Sequence, residues 1–197
     1  MNHSFKFQAV AFDFDGTLVD TLHLHYEAYR RTFEEMNFEL NPNDFYSNIG
    51  GKATEAIPLF LGERKAPWSI ADIHSRKKKL VKQLFDSEPL RILPTSNLIP
   101  MFAGRVPLAL VSSGSRPGIL QILERLGWTE HFDAIVTGED TETSKPDPAP
   151  YLLAARLLST DPSQMAAFED TEAGIASAKN AGFTVFDVSP NSIPYQQ

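Results

Sequence analysis

Two carboxylates stand one residue apart in the run Ala9-Val10-Ala11-Phe12-Asp13-Phe14-Asp15-Gly16-Thr17-Leu18-Val19-Asp20-Thr21. Acids this close repel, and a hard divalent cation offsets the repulsion. Mg²⁺ takes oxygen ligands, one or two carboxylates plus phosphate oxygens, and keeps several waters. In such a site Asp13 can attack phosphorus and form an aspartyl-phosphate. Asp15 can give a proton to the leaving oxygen and later take one from water. The plainer reading of an isolated Asp-x-Asp is an acidic turn after a strand. An EF-hand does not fit, since its loop needs Gly sixth and Glu twelfth. Counted from Asp13 those places hold Leu18 and Leu24.

The elements that must position these acids follow from periodicity. Residues 9–12 are apolar and too few for a helix, so they read as a buried strand. Strand alternation sends Asp13 and Asp15 to one side at its carboxyl end, and Gly16 tolerates the turn that follows. Leu22, Tyr26, Tyr29, Phe33 and Met36 then recur at helical spacing over residues 22–37. Asn41-Pro42-Asn43 breaks that helix, and Ile49-Gly50-Gly51-Lys52 forms a tight loop. A helix with Pro58 inside spans residues 53–61. Ser69 with Asp72 resembles a capping box ahead of a helix carried by Ile70, Ile73, Lys77, Leu80 and Leu84. Strands at 105–111, 134–137, 165–168 and 184–188 alternate with helices at 117–126, 149–158 and 171–181. That alternation predicts an α/β core with a parallel sheet covered on both faces. The helical block is an insertion after the first strand.

The core strands up to Phe168 end in polar residues. Val111 leads to Ser112-Ser113-Gly114-Ser115, Thr137 leads to Lys145-Pro146, and Phe168 leads to Glu169-Asp170. Open parallel sheets bind ligands outside the carboxyl ends of their strands, so these groups gather beside Asp13 and Asp15. The Ser112 hydroxyl and the backbone N–H groups of Ser113 and Gly114 can cradle phosphate oxygens. Lys145 supplies a point charge, and Glu169 and Asp170 add acids that can hold a metal. Each has a bland reading alone: a Ser-Gly turn, a solvated lysine, an acidic helix start. Their joint order outweighs those readings.

Composition narrows the class. The chain has 197 residues, a net charge of -7 and no cysteine. The acidic balance argues against nucleic acid. The missing cysteines exclude disulfides and thiolate metal sites, and suit a cytoplasmic location. No signal-like or membrane-spanning apolar stretch is present. A monomer is expected, with a dimer as the alternative.

The set Asp13-x-Asp15-Gly16-Thr17-Leu18-x-Asp20-Thr21, Ser112, Lys145-Pro146-x-Pro148 and Glu169-Asp170-x-x-x-Gly174-Ile175-x-x-Ala178 resembles the haloacid dehalogenase-like (HAD) superfamily. It covers nearly the whole chain in the family's order. The likeness is to members with a helical cap inserted after the first motif, among them sugar-phosphate phosphatases, phosphoglycolate phosphatases and beta-phosphoglucomutases. It implies a Rossmann-like three-layer core, with core segments at 1–20 and 95–197 and a cap at 21–94. It implies that Asp13 is nucleophile and Mg²⁺ ligand, and that Asp15 is the acid/base with its backbone carbonyl on the metal. It further implies that Ser112 and Lys145 bind the phosphoryl group, that Asp170 ligates Mg²⁺, and that Glu169 acts there directly or through water. The family often has Asp after Lys-Pro-x-Pro; here Ala149 stands in that place.

Asp15 speaks against a dehalogenase. His25, Gly51 and Lys52 fall where such caps reach towards substrate. In beta-phosphoglucomutase a cap arginine holds the second phosphate, and Thr54 occupies that place here. Hydrolysis of a small phosphorylated metabolite (a sugar or polyol phosphate, or a phosphoglycolate-like ester) is therefore favoured over a mutase. A phosphonate hydrolase using Lys52 and a non-catalytic phosphate binder rank lower. His25 could instead be a packed helix histidine, and Lys52 a plain loop lysine. Residues 76–79 read as a solvated basic helix face.

Overall fold

A computed structural model describes residues 6–48 and 53–189. In chain order its elements are β1 (Ala9–Phe12), β2 (Val19–Asp20), α1 (Leu22–Glu34), α2 (Pro42–Tyr46), α3 (Ala53–Leu61), α4 (Ile70–Ser87) and β3 (Arg91–Ile92). Then come α5 (Ile99–Phe102), β4 (Leu108–Val111), α6 (Arg116–Leu126), β5 (Ala134–Val136), α7 (Ala149–Leu157), β6 (Met165–Glu169), α8 (Glu172–Asn180) and β7 (Thr184–Asp187). The chain divides into two compact units, residues 1–20 with 92–197 and residues 21–91.

In the first unit the strands pair in the order β5-β4-β1-β6-β7, every pair parallel. β1 is central, and all four of its residues are fully buried, as a strand covered on both faces requires. One face is built of small residues. Ala9, Ala11, Ala109, Val111, Ala134 and Ala167 meet Tyr151, Ala154 and Ala155 of α7 and Ala178 of α8. The other face carries Val10, Phe12, Leu108 and Leu110, also fully buried. Register partners there build an aromatic ladder. Phe12 stacks on Phe168 with ring centroids 5.1 Å apart, and Phe168 stacks on Phe186 at 5.0 Å.

The second unit is helical. Tyr29, Phe33, Met36, Leu40, Phe45, Ile57, Phe60 and Ile73 form its core. Ser69 caps α4, its side chain accepting from the Asp72 N–H at 3.1 Å. Among the described residues no helix is long and apolar enough to cross a membrane.

Several expected boundaries change for local reasons. The helix expected over residues 22–37 stops at Glu34, because Asn37 adopts a left-handed φ of 59° and Phe38 N–H returns to the Phe33 carbonyl at 2.9 Å. Asn41-Pro42-Asn43 does not merely break a helix but starts α2. Asn41 accepts from the Asn43 N–H at 2.9 Å with Pro42 in the first turn. The strand expected from residue 105 begins at Leu108, after a turn at Gly104 closed by Arg105 N–H on the Phe102 carbonyl. Residues 19–20 and 91–92, not foreseen as strands, pair as β2 and β3. The basic face at 76–79 is mixed. Arg76 pairs with Glu35, Lys78 and Lys79 are exposed, and Lys77 is buried within the helical unit.

Candidate active site

The site grows from the carboxyl end of β1. Asp13 continues the ladder by one residue, its N–H donating to the Phe168 carbonyl at 3.0 Å. Gly16, with a φ of +93°, reverses the chain, and its N–H closes the loop on the Val19 carbonyl at 2.9 Å. The reversal brings Thr17 under the acids from β6: Thr17 Oγ1 donates to Asp170 Oδ1 at 3.1 Å.

Lys145 is the hub. Buried after β5, its ammonium donates to Asp13 Oδ1 at 2.6 Å, Glu169 Oε1 at 2.5 Å and the Val111 carbonyl at 3.0 Å. Three protons meet three acceptors, so in this arrangement Lys145 is an anchor for Asp13. Asp13 Oδ2 is buried and has no hydrogen-bond partner among the described residues. One oxygen of Asp13 is thus pinned and the other unpartnered.

Glu169 is fully buried. Its Oε1 accepts from Lys145 and, at 2.8 Å, from Tyr151 Oη. Its Oε2 takes the Asp170 N–H at 3.2 Å and Thr171 Oγ1 at 3.3 Å. Gly174 leaves room for that carboxylate, since a Cβ there would lie 1.9 Å from Oε1. Ser112 Oγ donates to Asp15 Oδ2 at 3.2 Å and accepts the Gly114 N–H at 3.0 Å. The Gly114 N–H is therefore directed at Ser112 rather than outward.

The electrostatics are those of a negative site short of positive charge. Burial, then the charge of Glu169, pushes Asp13 well above the usual carboxylate range, and Lys145 pulls it part of the way back. The same two causes push Asp170 up to about 6. Oxygens of Asp13, Glu169 and Asp170 lie within 4.8 Å of one another. Three carboxylates, all oxygen donors within that span and short of positive charge, fit a hard divalent cation. Asp170 is better oriented as a ligand than Glu169, because both oxygens of Glu169 already have donors. The Asp15 side chain stands apart from this cluster, on Ser112.

The structure brings Asp13, Asp15, Ser112, Lys145, Glu169 and Asp170 to one edge of the sheet. His25 lies in the helical unit, its Nδ1 2.7 Å from Lys77 Nζ and its ring against Phe85. A lysine ammonium only donates, so Nδ1 accepts and the ring proton sits on Nε2. Burial, then Lys77, holds His25 well below its usual range, hence neutral. Gly51 and Lys52 lie outside the described residues. Sequence reading gave no role to Thr17 or Tyr151. The available signals were a hydroxyl directly after the turn glycine and a tyrosine in the first turn of the helix following Lys145.

A central strand ending in an acidic turn, with a lysine and an acidic pair delivered from neighbouring strand ends, defines a Rossmann-like α/β enzyme core with a carboxylate-lysine site. The family model described as haloacid dehalogenase-like hydrolase matches residues 10–188, and the chain belongs to that family. It is 31% identical to a phosphorylated carbohydrates phosphatase of Thermotoga maritima, over 89% of this chain and 82% of that protein. It is 29% identical to a beta-phosphoglucomutase of Bacillus subtilis, over 89% of this chain and 80% of that one. Its fold matches the crystal structure of CbbY from Rhodobacter sphaeroides in complex with phosphate. There the TM-score is 0.85 at 29% identity, covering 97% of this chain and 90% of that one.

Proposed function

We propose that the chain is a Mg²⁺-dependent phosphomonoester hydrolase acting on a small phosphorylated metabolite, a sugar or polyol phosphate, through an aspartyl-phosphate at Asp13. The observation that carries this reading is the state of Asp13: Oδ1 held by Lys145 at 2.6 Å, Oδ2 buried and unpartnered. A carboxylate fixed in that way presents one oxygen without needing to reorganise.

Asp13 Oδ2 bonds to phosphorus as the ester P–O bond breaks, and Asp15 gives its proton to the departing alkoxide. Water then attacks phosphorus, Asp15 takes the water's proton, and inorganic phosphate leaves with Asp13 restored. Ser112 and the backbone at Ser113 orient the phosphoryl oxygens, and Lys145 acts on them through its charge, its protons being committed to Asp13, Glu169 and the Val111 carbonyl. Asp13, Asp170, the Asp15 carbonyl and Glu169 (directly or through water) would hold the cation, which supplies charge neutralisation between phosphate and carboxylates when bound. The helical unit is assigned the role of a cap that selects the substrate, with His25 as its candidate residue among those described.

The named relatives include both a phosphatase and a mutase. Thr54, exposed in the first turn of α3, offers no charge for a second phosphate. That favours hydrolysis. The test is phosphate release from a panel of sugar phosphates, phosphoglycolate and glycerol phosphate, with glucose 1-phosphate isomerisation followed beside it. Release from at least one ester, lost in Asp13→Asn, is expected. Isomerisation without release would replace the reading by a mutase, and full activity of Asp13→Asn would overturn both.

A further inference from the structure

Tyr151 has no part in the chemistry above, yet it touches the groups that perform it. It heads the fully buried side chains by volume, in the first turn of α7. Its ring lies 5.3 Å from Lys145 Nζ, and its hydroxyl donates to Glu169 Oε1 at 2.8 Å. Phenylalanine would fill the same space among Ala154, Ala155 and Phe183 with no polar atom to satisfy, so packing alone does not account for the hydroxyl.

Glu169 Oε1 accepts from two donors at once, Tyr151 at 2.8 Å and Lys145 at 2.5 Å. Asp13 and Glu169 compete for the one ammonium of Lys145. A second donor on Oε1 draws charge from that oxygen and weakens its pull on the ammonium. Lys145 then stays shared with Asp13 Oδ1, and Asp13 Oδ2 is the oxygen left to react. We propose that Tyr151 is a positioning residue that acts through Glu169 and Lys145 to hold Asp13 in its attacking orientation. The role rests on the phosphatase reading and extends it to a side chain that never meets substrate.

The experiment compares wild type with Tyr151→Phe on whichever ester the panel shows to be cleaved fastest. It measures kcat, KM, melting by circular dichroism, and rapid-quench entry of labelled phosphoryl groups into the protein. Loss of a hydrogen bond to a charged group predicts a fall in kcat of about ten-fold or more. KM should stay within about two-fold, and labelling should slow by the same factor as kcat. A merely structural role would lower melting and active fraction together and leave the labelling rate per folded molecule unchanged. That result, or a kcat within two-fold of wild type, overturns the proposal. If Tyr151→Phe melts below assay temperature, 3-fluorotyrosine at position 151 keeps the shape and strengthens the donor; an unchanged labelling rate there overturns it equally. A wild type that cleaves no ester defeats the phosphatase reading itself, whereas an active wild type with an indifferent Phe variant defeats only the role of Tyr151.

Discussion

A Cβ built on Gly16 would sit 2.1 Å from Asp170 Oδ2. The turn after β1 and the acid after β6 approach so closely only because one of them lacks a side chain. Asp170 has little freedom to retreat, since its other oxygen accepts from Thr17 at 3.1 Å. Gly16→Ala therefore adds a clash to the strain of a φ of +93°. It is expected to cost about 2–4 kcal/mol in urea unfolding and to lower turnover at least ten-fold. Gly104→Ala is the control, with a φ of +72° and nothing within 4 Å of its Cβ. Its cost should be about 1 kcal/mol. Equal losses at the two positions would show that the approach to Asp170 is not the cause.

Metal removal should be visible without any substrate. Two carboxyls pushed up by burial and by Glu169 are relieved by a cation between them. Chelated protein should melt lower, and Mg²⁺ should restore it by mass action, by about 2.7 kcal/mol at a hundred times Kd. Asp170→Asn should abolish most of that shift while leaving the chelated protein folded. A Mg²⁺ response of undiminished size in Asp170→Asn would place the ion elsewhere.

The chelated protein also has a pH signature of unusual sign. Asp170 sits at about 6 against an ordinary 3.8. Between roughly pH 4 and 6 the folded chain binds more protons there than the unfolded chain, so this contribution to stability falls as pH rises. Asp13 shifts in the same direction. Glu27, held down to about 2 mainly by its bonds from Arg30, works oppositely, but only below its ordinary 4.5. Denaturation in chelator between pH 5 and 7.5 avoids that window, but His25, held low by burial and by Lys77, also adds stability as pH rises through its ordinary 6.5. The readout is therefore the difference between wild type and Asp170→Asn, in which the His25 contribution cancels and which should decline by about 1–3 kcal/mol from pH 5 to 7.5.

The acids and Ser112 at the sheet edge were legible because they follow short apolar runs, and parallel topology fixes where such ends meet. Who holds whom was not. Lys145 read as a phosphate-binding charge, and spacing along the chain does not reveal that its three protons go to Asp13, Glu169 and the Val111 carbonyl. Tyr151 was hidden for the same reason, because its partner lies eighteen positions on, across a crossover. α2 was missed because Asn-Pro reads equally as stop and start until the Asn41 side chain is seen on Asn43 N–H. Lys77 sat at a position of the apolar period in α4 and within a basic run, two local signals in conflict; burial followed the period.

The strongest test of the hub is Lys145→Met. The methionine keeps length and apolar volume, so little of the effect comes from a cavity. What it removes is the ammonium shared by two buried carboxylates, Asp13 and Glu169. Taking one partner from a buried pair leaves charge uncompensated and costs about 3–5 kcal/mol. The cost should depend on pH in a definite direction. Asp13, already raised by burial and by Glu169, loses the cation that lowers it and holds its proton still more tightly. Acidification supplies that proton, so the gap between wild type and variant should narrow as pH falls from 8 towards 5. Turnover should be absent throughout, because Asp13 has lost the bond that orients it. A Lys145→Met protein as stable as wild type at pH 8, or one that still cleaves esters, would mean that the ammonium neither supports nor aims the carboxylate beside it.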